Sequence, residues 1–191
     1  MSKTTSIMIV GVGGQGSLLA SKLLGRLLVD EGYDVKVSEV HGMSQRGGSV
    51  VTYIRFGEKV YSPIICEGEA DLIISFEKLE AARYAKYLKP DGRIIVNTQE
   101  ISPMPVIIGA AEYPTKVLTE LCDKGVKVEA LDALTPAVSA CSSKAVNIVL
   151  LGKSARYFDI PYDKWLSAIE KTVNPKFVEM NKKAFELGYN S

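Results

Sequence analysis

The sequence predicts a three-layer α/β fold, Rossmann-like, in which helices cover a mainly parallel sheet and further helices close the chain. Short apolar segments alternate with segments of helical periodicity, the pattern of α/β proteins. A glycine-rich loop separates the first apolar segment from the first helical one. The first strand, helix and second strand together take about 35 residues, the size of a parallel crossover unit.

The predicted strands are short runs of apolar, β-branched or aromatic residues. They are expected at 6–10, 35–40, 49–56, 71–76, 93–96 and 126–131. Gly57-Glu58 is expected to turn the third strand back into a short antiparallel excursion at 60–62. Pro90-Asp91-Gly92 is expected to form a turn before the fifth strand, and the apolar residues 106–108 continue the alternation.

The predicted helices have apolar residues at spacings of three and four. They are expected at 17–31, 77–88, 115–124, 136–151, 162–172 and 175–187. Gly32 is expected to end the first helix. The last helix has Asn174 as its predicted N-cap, Pro175 at its first position and Gly188 after its end.

Length and composition predict one domain over residues 1–191, with a core of about 6–152 and a C-terminal helical extension of about 160–188. The 191 residues are near the usual domain size, and 24% of them are charged, as in ordinary globular proteins. A net charge of +1 gives no support for a nucleic-acid or membrane-surface partner. Because neither a signal peptide nor an apolar run of ~20 residues is present, we expect a cytoplasmic protein.

Metal ligands are scarce in this sequence. It contains one histidine, His41, and three scattered cysteines, Cys66, Cys122 and Cys141. A [4Fe–4S] cluster takes about four thiolates and a structural zinc about four Cys or His ligands, so we predict no metal on this chain. The cysteines are expected to be small buried hydrophobic residues in a reducing compartment.

A glycine loop at residues 11–16 follows the first predicted strand. Gly11, Gly13 and Gly16 match the pattern G-x-G-x-x-G between a strand and a helix. Such glycines allow a tight turn, and the helix N-terminus presents free N–H groups to an anion. Gly11, Gly13, Gly14, Gln15 and Gly16 are therefore candidate cofactor-binding residues for a phosphate-containing ligand.

The ligand of the glycine loop stays open at this point. A dinucleotide such as NAD or FAD also needs an acid at the end of the second strand, and Glu39 is available there. It lies later in the chain than the ~20 residues after the glycines that the dinucleotide pattern expects. The alternatives are a structural turn and a turn that contacts another protein.

A second polar loop at 41–48, here called the histidine loop, follows the second predicted strand. His41 and Arg46 are candidate catalytic residues, since imidazole exchanges protons near neutral pH and guanidinium binds carboxylate or phosphate with two hydrogen bonds. Arg46 is also a candidate cofactor ligand, together with Gly47 and Gly48, although paired glycines more often serve backbone geometry.

Other polar residues give weaker signals. Glu77 and Glu80 are expected on the solvated face of a helix. Asn97, at the end of a strand, is a candidate ligand contact or turn cap. Asn147 is expected to satisfy a neighbouring backbone group or to mark an interface. The sequence contains no G-x-S-x-G, H-E-x-x-H, P-loop or thiamine-binding Gly-Asp-Gly motif.

Several of these segments together are typical of one family. They are Gly11-Val-Gly-Gly-Gln-Gly16, Glu39-Val-His-Gly-Met-Ser-Gln-Arg-Gly-Gly48, Phe76-Glu77, Leu79-Glu80-Ala81, Ile95-Val-Asn97 and the residues from Asn147 through Gly152. The combination resembles the gamma-type domain of the 2-oxoacid:ferredoxin oxidoreductases, most closely in its indolepyruvate-oxidising members. The motifs span most of the chain, and the histidine loop is the most specific of them.

The resemblance implies a subunit that is inactive alone. A large partner subunit would bind thiamine diphosphate and [4Fe–4S] clusters and oxidatively decarboxylate aryl 2-oxoacids such as indolepyruvate. Coenzyme A would accept the acyl group and ferredoxin the electrons. By the same resemblance, this chain would assist coenzyme A binding and cover the active site. The rival interpretations are an independent NAD(P)- or nucleotide-binding protein, a purely structural subunit, and a paralogue for another 2-oxoacid.

Overall fold

A computed structural model describes residues 4–42 and 47–191. Among them, one sheet has six strands in the order β2-β3-β1-β4-β5-β6. The strands are β1 (Thr5–Val12), β2 (Asp34–His41), β3 (Ser49–Gly57), β4 (Ala70–Ser75), β5 (Leu88–Asn97) and β6 (Lys127–Leu131). Only β3 in this described sheet is antiparallel to its neighbours. The predicted α/β class with a mainly parallel sheet is confirmed.

Strand β3 lies between β2 and β1. The crossover through the first helix therefore skips one position in the sheet instead of joining adjacent strands. The five parallel strands end at one edge of the sheet, here called the carboxyl edge. The segments that follow those strands lie there, at the edge where α/β folds bind ligands.

The helices that the structure describes cover both faces of the sheet. They are α1 (Ser17–Asp30), α2 (Lys78–Tyr84), α3 (Met104–Ile107), α4 (Val117–Asp123), α5 (Leu134–Ser139), α6 (Val146–Ala155), α7 (Tyr162–Thr172) and α8 (Val178–Tyr189). The core of one face includes the α1 leucines, α6, Trp165 and Phe185, and that of the other includes residues of α2 and α4. None of these described helices is long and apolar enough to cross a membrane.

Helices α6 and α8 approach closely through two glycines. A Cβ at Gly188 would lie 2.0 Å from the Val149 carbonyl oxygen, and one at Gly152 would lie 2.2 Å from that of Phe185. Gly188 lies inside α8, which extends to Tyr189, so its prediction as the residue after the helix is wrong. Asn174 accepts a bond from the Lys176 N–H, as predicted for a cap, and precedes the 3-10 turn Pro175–Phe177 that leads into α8.

Some predicted elements differ in the structure. Residues 60–62 form a loop and not a strand, because the Val60 N–H is bonded to the Asp34 carboxylate at 2.9 Å. Pro90-Asp91-Gly92 lies inside β5, at an irregularity in its pairing with β4. Residues 106–108 belong mostly to α3.

The long helix predicted at 136–151 is two helices in the structure. The chain breaks after α5, where Cys141 adopts a φ of 73°, and continues through the 3-10 turn Ser143–Ala145 into α6. Positive φ is unfavourable for a residue with a side chain and stops an α-helix. The prediction of buried cysteines is also wrong, since Cys66, Cys122 and Cys141 are all exposed.

Candidate functional site

The glycine loop and the histidine loop are joined at the carboxyl edge. The Gly13 N–H donates to the Gly48 carbonyl at 2.8 Å, and the Gly47 N–H donates to the Gly13 carbonyl at 3.3 Å. These bonds extend the antiparallel pairing of β1 and β3 beyond the Val12–Ser49 pair. Gly47 and Gly48 thus pair with the glycine loop, from which they are far apart in the sequence.

Helix α1 begins directly after the glycine loop. Its N-cap residue, Gly16, has a φ of 86° and provides no side-chain cap. The Asn147 Nδ2 donates to the Gly16 carbonyl at 3.0 Å, as predicted for a residue that satisfies a backbone group. Because the first N–H groups of a helix have no intrahelical partner, those of Ser17 and Leu18 are suited to an anion.

The Gln15 side chain closes the glycine loop from inside. Its Oε1 accepts from the Val12 N–H at 2.7 Å, and its Nε2 donates to the Phe76 carbonyl and to Gln99 Oε1, both at 3.0 Å. These bonds use both ends of the amide, and the Gln15 backbone N–H donates to the Val12 carbonyl at 3.2 Å. Gly11 packs closely against Phe76, because a Cβ at Gly11 would lie 3.0 Å from the Phe76 Cβ.

Asn97 is buried, with 1% of its surface exposed. Its Oδ1 accepts from the Ala133 N–H at 3.1 Å, and its Nδ2 donates to the Phe76 carbonyl at 3.3 Å. The side chain thus ties β5 to the segment after β6. The bond from the Ala133 N–H is of the kind expected for a turn cap, and the contact of Asn97 with a ligand stays a prediction.

One cleft of about 430 Å³ lies between the glycine loop and β2. Its lining residues are Gly13, Gly14, Gly16, Ser17, Leu18, Glu39, His41 and Val50. Glu39 and His41 are two residues apart on one face of β2, and both are exposed. The structure therefore places Glu39 beside the glycines in spite of the long spacing in the sequence.

A second cleft of about 510 Å³ lies on the other side of the glycine loop. Its lining residues are Gly14, Gln15, Gly16, Leu19, Gln99, Ser143, Lys144, Val146 and Asn147. Lys144 gives this cleft a cation next to the α1 N-terminus, whereas Glu39 gives the first cleft an anion. Lys144 was not predicted as a site residue, and its position three residues before Asn147 was the available signal.

Glu80 bonds to Ser49, the residue that directly follows the histidine loop. Its carboxylate accepts from the Ser49 hydroxyl and from Arg83 Nε, the latter at 3.1 Å, and only 4% of Glu80 is exposed. The Tyr84 hydroxyl lies 3.2 Å from Ser49 Oγ. The expectation of a solvated face for Glu77 and Glu80 is wrong, because both carboxylates are buried against loops from distant parts of the chain.

Glu77 is 1% exposed and is the N-cap of α2. Its Oε2 accepts from the Glu80 N–H at 2.9 Å. Its Oε1 accepts from the Ile101 N–H at 3.2 Å and from the Tyr113 hydroxyl. Burial of Tyr113 and its bond to the Glu77 carboxylate raise the pKa of that phenol.

The remaining predicted residues lie in the histidine loop. His41 is exposed, and its Nδ1 is 3.3 Å from the Gly42 carbonyl oxygen. Gly47 and Gly48 contact Gly13 as described, which agrees with a role in backbone geometry. Arg46 lies outside the described residues. Within residues 4–42 and 47–191, no group of three or more His, Cys, Asp or Glu side chains is arranged to hold a metal ion.

Comparisons with known proteins place this fold among oxidoreductase subunits. The family model described as pyruvate ferredoxin/flavodoxin oxidoreductase matches residues 6–191. Indolepyruvate oxidoreductase subunit IorB of Thermococcus kodakarensis is 45% identical, over 97% of this chain and 95% of the relative. The subunit of the same name from Archaeoglobus fulgidus is 40% identical, over 97% of this chain and 94% of the relative.

Solved structures agree with the fold. Pyruvate oxidoreductase subunit PORC from Thermotoga maritima superposes with a TM-score of 0.74 at 21% identity, covering 99% of this chain and 97% of that one. A 2-oxoglutarate:ferredoxin oxidoreductase from Magnetococcus marinus, solved with 2-oxoglutarate, coenzyme A and succinyl-CoA, gives a TM-score of 0.70 at 16% identity. The match covers 100% of this chain and 31% of that chain.

The family model covers nearly the whole chain, and the two relatives are 45% and 40% identical over almost their full length. The sequence motifs had indicated the same assignment. The chain belongs to the pyruvate ferredoxin/flavodoxin oxidoreductase family, the 2-oxoacid:ferredoxin oxidoreductases.

Proposed function

We propose that this chain is the small subunit of an indolepyruvate ferredoxin oxidoreductase and works only in complex with a large subunit. The complex decarboxylates an aryl 2-oxoacid, transfers the acyl group to coenzyme A and passes the electrons to ferredoxin. The observation that supports this most strongly is the 45% identity to a relative named as an indolepyruvate oxidoreductase subunit, over almost the full length of both chains.

Thiamine diphosphate and [4Fe–4S] clusters belong to the large subunit in this proposal. The three cysteines of this chain lie in separate parts of the chain, and the sequence contains no thiamine-binding motif. A cluster held by about four thiolates does not fit these residues. The role left to this chain is to bind coenzyme A, orient it and exclude water from the partner's active site.

Coenzyme A fits the carboxyl edge of this chain. The N–H groups of Ser17 and Leu18 at the α1 N-terminus are suited to a phosphate, and Lys144 adds a cation on one side. His41, at the end of β2, lines the first cleft together with Ser17 and Leu18 at the same helix N-terminus. We assign the phosphates to the Lys144 side, because Glu39 would repel them on the other side.

The test uses the co-expressed complex and follows ferredoxin reduction with indolepyruvate as coenzyme A is varied. Lys144→Ala and Arg46→Ala are each expected to raise the KM for coenzyme A by about tenfold, the usual effect of a lost charge-assisted contact of about 1.4 kcal/mol. Lys124→Ala, on the exposed α4–β6 connection, is the control. Unchanged coenzyme A dependence in both variants would contradict the coenzyme A role while leaving the subunit assignment intact.

The rival interpretations give different results in a titration of the purified chain. Glu39 lies beside the glycine loop, where a dinucleotide-binding protein places the acid that binds the ribose. An independent NAD(P)-binding protein would bind NAD and lose that binding in Glu39→Ala. A purely structural subunit would bind neither NAD nor coenzyme A, and only the large subunit would stabilise it.

A further inference from the structure

Residues 101–113, here called the docking loop, lie at the carboxyl edge between β5 and α4. Resting on the proposed function, we propose that the docking loop is a preformed surface against which the large subunit packs. It contains α3, and its two ends, Ile101 and Tyr113, bond to the Glu77 carboxylate.

The docking loop exposes apolar side chains to an unusual degree. Met104 is 65% exposed, Ile107 66% and Ile108 68%. Residues 101–111 contain no charged side chain. Contiguous exposed apolar groups of this kind mark interaction sites on soluble proteins. A partner with an apolar face would bury them, whereas a strongly charged one would gain nothing here.

The shape of the docking loop is held from both ends by one atom. Glu77 Oε1 accepts from the Ile101 N–H at one end and from the Tyr113 hydroxyl at the other. Inside the loop, the Ile108 N–H donates to the Met104 carbonyl at 3.0 Å and the Ala110 N–H to the Pro105 carbonyl at 2.9 Å. An ordered apolar loop loses little conformational entropy on binding, as a docking surface requires.

The position of the docking loop identifies the large subunit as its occupant. The loop follows β5 at the edge that holds the glycine loop, and two more exposed apolar residues, Leu134 and Val138, follow β6 there. A subunit that covers a partner's active site must bring this edge to the partner. A second copy docked here would set two carboxyl edges against each other and keep the large subunit from the glycine loop.

The test is the affinity of this chain for the large subunit, measured by calorimetry or by competition in the co-expressed complex. Ile108→Glu is expected to weaken association by about tenfold or more, because a carboxylate would be buried without a partner. Val29→Glu is the matched control. Val29 is 57% exposed near the end of α1, away from the carboxyl edge, so its change is expected to stay within about twofold.

Urea unfolding of both variants checks that each folds as the wild type does. If wild-type chain and large subunit do not associate, the proposed function fails. If they associate and Ile108→Glu binds equally well, the docking loop is wrong and the subunit assignment stands. Sedimentation of the chain alone supplies the last outcome: a dimer that Ile108→Glu dissociates would assign the loop to a second copy and overturn the proposal.

Discussion

The Gly13 N–H donates a 2.8 Å hydrogen bond to the Gly48 carbonyl, although the two residues belong to loops that follow different elements. The bond exists because β3 runs antiparallel beside β1 and brings its first residues next to the glycine loop. The last two residues of the histidine loop, Gly47 and Gly48, are therefore held against Gly13 of the glycine loop.

Replacing Gly16 by alanine tests the geometry of the α1 N-terminus. The new Cβ would lie 2.7 Å from Asn147 Nδ2, and the φ of 86° disfavours any side chain. We expect a loss of about 2–3 kcal/mol in the free energy of unfolding, of which about 1–2 kcal/mol is backbone strain. Urea denaturation of the purified chain measures it.

Gly32→Ala is the control for the strain at Gly16. Gly32 has the same φ of 86°, but a Cβ there would have no neighbour within 4 Å among the described residues. Gly32→Ala is expected to lower the free energy of unfolding only by the contribution of backbone strain, about 1–2 kcal/mol. Equal losses in the two variants would show that Asn147 does not pack against Gly16 as the structure has it.

Gly188→Ala tests the close approach of α6 and α8. A Cβ there would overlap the Val149 carbonyl oxygen, which is backbone and has little room to shift. We expect a loss of about 2–4 kcal/mol in the free energy of unfolding, measured by urea denaturation.

Gly25→Ala, in the middle of α1, is the matched change for Gly188→Ala. Its Cβ would make an ordinary 3.7 Å contact with Val37 Cγ2. Alanine is expected to stabilise this helix by about 0.5–1 kcal/mol. If both variants shifted stability in the same direction, the assigned α6–α8 packing would be incorrect.

Tyr113 is expected to make stability fall at high pH. Its folded-state pKa is raised, first by burial and then by the bond to Glu77, so the unfolded chain releases this proton first as pH rises. The stabilisation is therefore fully present below the ordinary tyrosine pKa of about 10 and is lost above it. Unfolding in urea at a series of pH values measures the slope.

Tyr113→Phe should flatten this pH dependence above about pH 10, since the ionising group is gone. Tyr61→Phe is the control, because Tyr61 is 87% exposed. A slope that Tyr113→Phe leaves as steep as in the wild type would contradict the contact between Glu77 and Tyr113.

Ser49→Ala tests the support of the histidine loop. It removes the hydroxyl that donates to the buried Glu80 carboxylate. We expect a loss of about 1–2 kcal/mol in the free energy of unfolding, together with weaker coenzyme A binding in the complex. Ser139→Ala, at an exposed serine whose hydroxyl donates to the Thr135 carbonyl within α5, should change stability by less than about 0.5 kcal/mol. Similar losses in both would argue against Glu80 as the anchor.

The sequence by itself determined the fold class, the glycine loop and the family, because these follow from local periodicity and from motifs of adjacent residues. It also located α1, whose end at Gly32 agrees with the prediction. Its errors of burial concerned Glu77 and Glu80, which were expected in solvent, and the cysteines, which were expected in the core. It also misplaced some local elements, among them the helix predicted at 136–151, which is two helices in the structure.

Only the tertiary structure decided which residues meet. Asn147 bonds to Gly16 across 131 positions of the chain, and Tyr113 bonds to Glu77 across 36. The insertion of β3 between β2 and β1 joins the two loops, and no local pattern distinguishes it from an adjacent crossover. Local periodicity indicates which face of its own helix or strand a residue lies on. Burial and hydrogen-bond partners depend on elements distant in the sequence that pack against that face.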